Sequence, residues 1–165
     1  MKPRLILDTN VLISAILFET GNEARILDEV FKGRLTLVSS LDTLQEFRET
    51  LAASKFKLTP PEVLKVFQLI VSISEIVLAP PNAEVKCRDP DDQKFLDCAA
   101  GGGGDFLVTG DRDLLEIKNL GRTKIITARE LIRLFKRSIF GLAGTSRLSK
   151  EEAFRRLDKM RRTVR

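Results

Sequence analysis

This 165-residue chain carries 23 carboxylates and not one histidine. Without histidine there is no Ser-His-Asp triad, no imidazole base and no His-ligated zinc. Acid–base or metal chemistry falls to carboxylates, lysines or water. One carboxylate stands out. In "LILDTNVLIS", residues 5–14, Asp8 sits between two apolar runs. An unpaired charge buried in a strand is costly, so Asp8 must find a partner or lie at the strand's end facing a site.

Other acids stand at comparable points. Asp89, Asp91 and Asp92 open "DPDDQKFLDCAA". Asp111 and Asp113 follow the apolar run "FLVT", and Glu46 lies within "LDTLQEFRETLAAS". Each has a plain structural alternative. Acids at 89, 91 and 92 favour a helix N-terminus by charge alone. Glu46 shares a helical face with Asp42 and Glu49, which a solvated face would also explain. Asp111 and Asp113 suit a turn. Asp97 lies five residues after Asp92, on another side of the helix, and reads as peripheral.

If these acids converge, four or five carboxylates would form a site for Mg²⁺ or Mn²⁺, which prefer oxygen ligands. Without a cation, clustered carboxylates raise one another's pKa. One or two cations would relieve that repulsion. They would also activate a water for in-line attack on a phosphodiester.

The elements that must position these residues follow from periodicity. Residues 4–8 read as a short buried strand, ending at Asp8, with a helix beginning near Val11. "NEARILDEVFKG" (22–33) has apolar residues at helical spacing. "LTLVSS" (35–40) is a second strand, and Ser40 can cap the helix containing Glu46. Pro60 and Pro61 suit a first helical turn, followed by an apolar helix to residue 74. "EIVLAPP" (75–81) reads as a strand closed by prolines. Asp89 and Pro90 open another helix, which ends at Gly101–Gly104. Residues 106–109 form a strand, and "KIITARELIRLFKR" supplies one more strand and helix. Strands separated by helices imply a mostly parallel sheet. In such a sheet functional groups gather at the carboxyl ends of the strands, where Asp8 and Asp111 fall.

Composition bounds the rest. The chain is 43% hydrophobic and about one domain long. Cys87 and Cys98 lack metal-site spacing and read as ordinary reduced thiols of a cytoplasmic protein. "VLISAILF" is far shorter than the roughly 20 residues of a membrane span, so no membrane partner is expected. The net charge is +5. Eight of the 28 Lys and Arg but only three of the 23 Asp and Glu lie in residues 145–165, so the whole excess is there. After a linker at 140–149, "SKEEAFRRLDKMRRTVR" begins with a capping box and has Phe154, Leu157, Met160 and Val164 on one face. Arg155, Arg156, Lys159 and Arg162 cover the remainder. This basic amphipathic helix would contact RNA phosphates, or dock on the body or a second copy.

Four segments together, "LILDTNVLISAIL" (5–17), "SSLDTLQEFRETL" (39–51), "RDPDDQKFLDCAA" (88–100) and "DFLVTGDRDLL" (105–115), resemble the PIN-domain family of metal-dependent ribonucleases. The resemblance covers residues 3–136 and is closest to prokaryotic PIN proteins described as toxins of toxin–antitoxin pairs. It implies an α/β three-layer sandwich with a mostly parallel central sheet, occupying 1–140, with the linker and basic C-terminal helix at 141–165. Matched residue by residue, it gives Asp8, Glu46, Asp92 and Asp111 as catalytic acids and metal ligands, with Asp113 a fifth metal candidate. Thr9, Asn10, Ser14 and Thr109 match polar positions that orient the acids or the attacking water. Mg²⁺ or Mn²⁺ is the implied cofactor and RNA the implied substrate. An antitoxin and a homodimer or higher oligomer are the implied protein partners.

Two rivals fit less well. A phosphatase of the haloacid-dehalogenase type needs an acid two residues after the first Asp, where this chain has Asn10. A receiver domain needs paired N-terminal acids. The alternative from another class is a non-catalytic RNA- or protein-binding module on the same fold.

Overall fold

The computed structural model describes residues 1–81, 84–136, 138–139 and 155. Its centre is a six-stranded sheet in the order β3-β2-β1-β4-β6-β5. The strands are β1 (Arg4–Leu7), β2 (Thr36–Ser39), β3 (Ser74–Ile76), β4 (Phe106–Val108), β5 (Asn119–Leu120) and β6 (Thr123–Ile126). The pairs β1–β2, β1–β4, β2–β3 and β4–β6 are parallel, and only β5–β6 is antiparallel. In register, Leu5 faces Leu37 on one side and Phe106 on the other. The helices are α1 (Thr9–Leu17), α2 (Asn22–Phe31), α3 (Leu41–Leu51), α4 (Pro60–Ile73), α5 (Gln93–Gly101), α6 (Arg112–Ile117) and α7 (Ala128–Leu134).

The alternation of side chains along β1 builds three layers. Leu5 and Leu7 face one core, shared with α1, α2, α3, α4 and α7. Ile6 faces the other, with Phe95, Leu96, Cys98 and Ala99 of α5 and Leu114 of α6. Both faces of the strands are covered, so the run "LIL" is continuously apolar, as parallel strands require. The expected three-layer α/β architecture with a mostly parallel sheet is present.

Helix starts obey local chemistry. The Ser40 hydroxyl accepts from the Thr43 amide while the Thr43 side chain answers the Ser40 amide. Thr59 and Thr127 cap α4 and α7 through Glu62 and Glu130 in the same reciprocal way. The glycine run has a packing reason beyond ending a helix. Gly103 takes φ +58°, and a Cβ on Gly102 would lie 2.6 Å from Val38 Cγ1. The chain therefore turns back against β2 with no room for a side chain.

Several expected boundaries shift. The third strand is only Ser74–Ile76, not 75–81. It is an edge strand with exposed residues, and after the Val77 amide bonds Ser39 the ladder stops ahead of the prolines. Pro90–Asp92 is a 3₁₀ turn rather than the first turn of the α-helix: the Asp89 carboxylate accepts from the Asp91 amide, and the Asp92 amide bonds the Asp89 carbonyl. Helix α6 and strand β5 add two short elements that the apolar periodicity does not announce. The hairpin closing β5 on β6 turns at Gly121, φ +56°. Among the described residues, no helix is long and apolar enough to cross a membrane. The expected linker and C-terminal helix lie outside the described residues, apart from an exposed, helical Arg155. Arg156, Lys159 and Arg162 lie outside them too.

Candidate active site

Strands β1, β2 and β4 run parallel, so their carboxyl ends share one edge of the sheet. Asp8 follows the last residue of β1. Its backbone is extended (φ −65°, ψ 159°), and its side chain caps α1, with Oδ1 accepting from the Val11 amide at 3.0 Å. The Thr109 hydroxyl, just past β4, donates to Oδ2. Asp8 is only 6% exposed and Thr109 1%. The buried charge is thus answered by a helix N-terminus and a hydroxyl, as a carboxylate in such a place requires.

Thr109 also receives the Asp111 amide on its Oγ1 at 2.9 Å. That contact fixes the turn that presents Asp111. The Asp111 Oδ1 in turn caps α6, accepting from the amides of Asp113 and Leu114 at 2.8 and 3.2 Å. Its exposed carboxylate lines a cleft of about 370 Å³ together with Asp8, Asn10, Ser14 and Glu23. Asp113 is held differently, by Arg88 at 3.1 Å, while Arg88 also bonds Glu116 at 2.8 Å. It does not line this cleft.

Glu46 reaches the site from α3. Its Oε1 accepts from the Thr9 hydroxyl at 2.7 Å, one residue beyond Asp8. Its Oε2 accepts from Lys94 Nζ on α5. The pair borders a second cleft of about 370 Å³ between α3 and α5, where Asp42, Glu49 and Asp97 also lie. Asp97 accepts from the Gln93 amide group at 3.1 Å and lines the cleft shared with α3.

Asp92 lies between these groups, at the junction of the 3₁₀ turn and α5. Its carboxyl is pushed up to about 6, first by burial and then by the negative charges of Asp111, Asp89, Glu46 and Asp8. Four acids from separate segments of the sequence thus act on one carboxyl. The two thiols take no part. Both are buried, and burial pushes Cys98 up to about 11.

Among the described residues, no three acids close into a ready-made ligand group. Carboxylates sharing a site repel one another, and that repulsion adds to burial in raising Asp92. The donors are all oxygens, which suits a hard divalent cation and not zinc or copper.

The profile of the PIN domain matches residues 4–113, two thirds of the chain. The chain belongs to the PIN-domain family. Proteins with this domain are nucleases in general, typically with divalent metals, and they act on nucleic acids. An uncharacterized protein of the archaeon Methanocaldococcus jannaschii is 29% identical over 150 residues, covering 84% of this chain and 96% of the relative. Asp8, Glu46, Asp92, Asp111 and Asp113 all lie within the matched PIN region. Lys94 and Arg88, which engage two of them, did not stand out in the sequence. Position alone could have pointed to Lys94, which falls two residues after Asp92 at the start of the same helix.

Proposed function

We propose that this PIN-domain protein is an endoribonuclease dependent on Mg²⁺ or Mn²⁺. The observation that carries the reading is the Thr109 hydroxyl, which donates to Asp8 and accepts from the Asp111 amide, so that the acids after β1 and β4 line one cleft, with Glu46 held by Thr9 one residue beyond Asp8. Asp8, Glu46, Asp92 and Asp111 would hold the cation, with Asp113 left to its Arg88 pair. When bound, the cation neutralises the acids and lowers the pKa of an attacking water.

The chain's own groups set up the rest. Thr109 and the Val11 amide hold both Asp8 oxygens and fix the carboxylate's direction. Thr9 does the same for Glu46. Asn10 and Ser14 line the cleft beside Asp8, where they can orient a water or a phosphate oxygen. RNA as the substrate follows the family resemblance. A role as the toxin of a toxin–antitoxin pair, with an antitoxin and a second copy as partners, belongs to the same proposal.

Product ends test the mechanism. Attack by water leaves a linear terminal phosphate, whereas attack by the ribose 2′-hydroxyl leaves a 2′,3′-cyclic phosphate. Single-stranded RNA incubated with the protein and Mn²⁺ is expected to give linear phosphates only. Cyclic phosphates, or no cleavage under Mn²⁺ or Mg²⁺, would reject the proposal.

A further inference from the structure

We infer that Lys94 is an exchangeable counter-ion: it holds Glu46 until a divalent cation takes that carboxylate, and then binds a phosphate oxygen of the nucleic acid. The inference rests on the proposed metal-dependent reading. It starts from Glu46, both of whose oxygens are engaged, Oε1 by Thr9 and Oε2 by Lys94. The Thr9 contact is a hydroxyl donor and can persist beside a cation. The Lys94 contact is weakened, because a divalent cation on Glu46 repels the ammonium and withdraws the negative charge that held it.

Charge distribution supports the exchange. Among the described residues lining the two clefts, Lys94 is the sole cation, against eight carboxylates that include Asp8, Glu46 and Asp111. Both members of the pair are about a quarter exposed, so the ammonium can leave without crossing a packed core. Its four-carbon stem starts on the first turn of α5, next to Asp92. A released ammonium there remains beside the acids and meets whatever anion the cation draws in. Lysine suits that task as a mobile point charge.

Two opposite effects follow from one substitution. Lys94→Met frees Glu46 and removes a positive charge, so Mn²⁺ binds roughly three- to five-fold more tightly, the scale of one partly exposed ion pair. The same change removes a phosphate contact, so KM for single-stranded RNA rises while kcat changes less. Calorimetric titration of Mn²⁺ into the nucleic-acid-free protein reads the first effect, and steady-state cleavage reads the second. Lys94→Gln serves as a second variant, and the thermal melts of both verify the fold. Tighter Mn²⁺ binding with a raised KM supports the exchange. Unchanged or weaker Mn²⁺ binding in both folded variants, with the wild type still binding Mn²⁺ and cleaving RNA, overturns the role of Lys94 alone. A wild type that binds no Mn²⁺ overturns the metal-dependent reading and the exchange with it.

Discussion

The Thr109 hydroxyl donates to the Asp8 carboxylate across a sequence separation of 101 residues. The contact joins the carboxyl ends of β1 and β4, which are paired in register from Leu5–Phe106 to Leu7–Val108. A single hydroxyl thereby orients one acid directly and the Asp111 turn through the Asp111 amide. Thr109→Val keeps the shape and removes both contacts. It is expected to cost about 1–3 kcal/mol, since a hydrogen bond to a charged group is lost in a buried place. Nuclease activity should fall roughly 10- to 100-fold, as when a ligand's supporting partner is removed. Denaturant unfolding and cleavage rates check the two parts, and an unchanged rate would detach Thr109 from the site.

Asp111 and Asp113 separate by what holds them. Asp111 lines the cleft with Asp8, whereas Asp113 is paired with Arg88. Asp111→Asn keeps a competent helix cap, because Asn caps as well as Asp. It should therefore lose cleavage while melting near wild type. Asp113→Asn breaks a pair whose Arg88 is largely exposed, worth at most about 1 kcal/mol, and should cost far less activity. Equal losses of cleavage in the two variants would count against this division.

The elevated Asp92 makes metal-free stability depend on pH. Its ordinary value is 3.8 and its folded value about 6. A carboxyl raised by folding binds its proton more tightly in the folded state. Its contribution to stability is complete below about 3.8 and is lost as pH rises through 6. In EDTA, the wild type should therefore lose stability relative to Asp92→Asn between those values. Added Mn²⁺ should reverse the trend, because ligand carboxylates bind metal deprotonated. Melting curves across pH, with chelator and with Mn²⁺, test the sign.

Gly102 offers a test of the fold that positions α5. A Cβ there would lie 2.6 Å from Val38 Cγ1 and 2.9 Å from the Cys98 carbonyl oxygen. Gly102→Ala should cost about 1–3 kcal/mol by overpacking, measured by chemical denaturation. A neutral result would mean that β2 and α5 yield more easily than their burial suggests.

The fold was legible wherever local chemistry and periodicity agreed. The alternation Leu5, Ile6, Leu7 contributes to two cores, and Ser40 announced α3 by its capping power. Asp8 was legible because a charge interrupted an apolar run, and the structure makes it a helix cap at a strand's end. Edge elements were harder to read. The short β3 and the β5 hairpin depend on neighbours across the sheet more than on their own sequence. The same limit hid Lys94 and Arg88. Lys94 is 48 residues from Glu46, and only tertiary packing of α5 near α3 brings them together.

Cleavage should need both a divalent cation and the acid at the end of β1. That requirement is tested most directly by following one labelled single-stranded RNA with wild type and Asp8→Asn, in Mn²⁺, in EDTA, and after Mn²⁺ is restored. Asn at this position can still cap α1, so the variant should fold. The expected result is internal cleavage by the wild type in Mn²⁺, none in EDTA, recovery on restoring the ion, and at least a hundred-fold loss, by roughly the scale of a catalytic group, in Asp8→Asn. Cleavage that persists in EDTA or in the folded Asp8→Asn variant would contradict it.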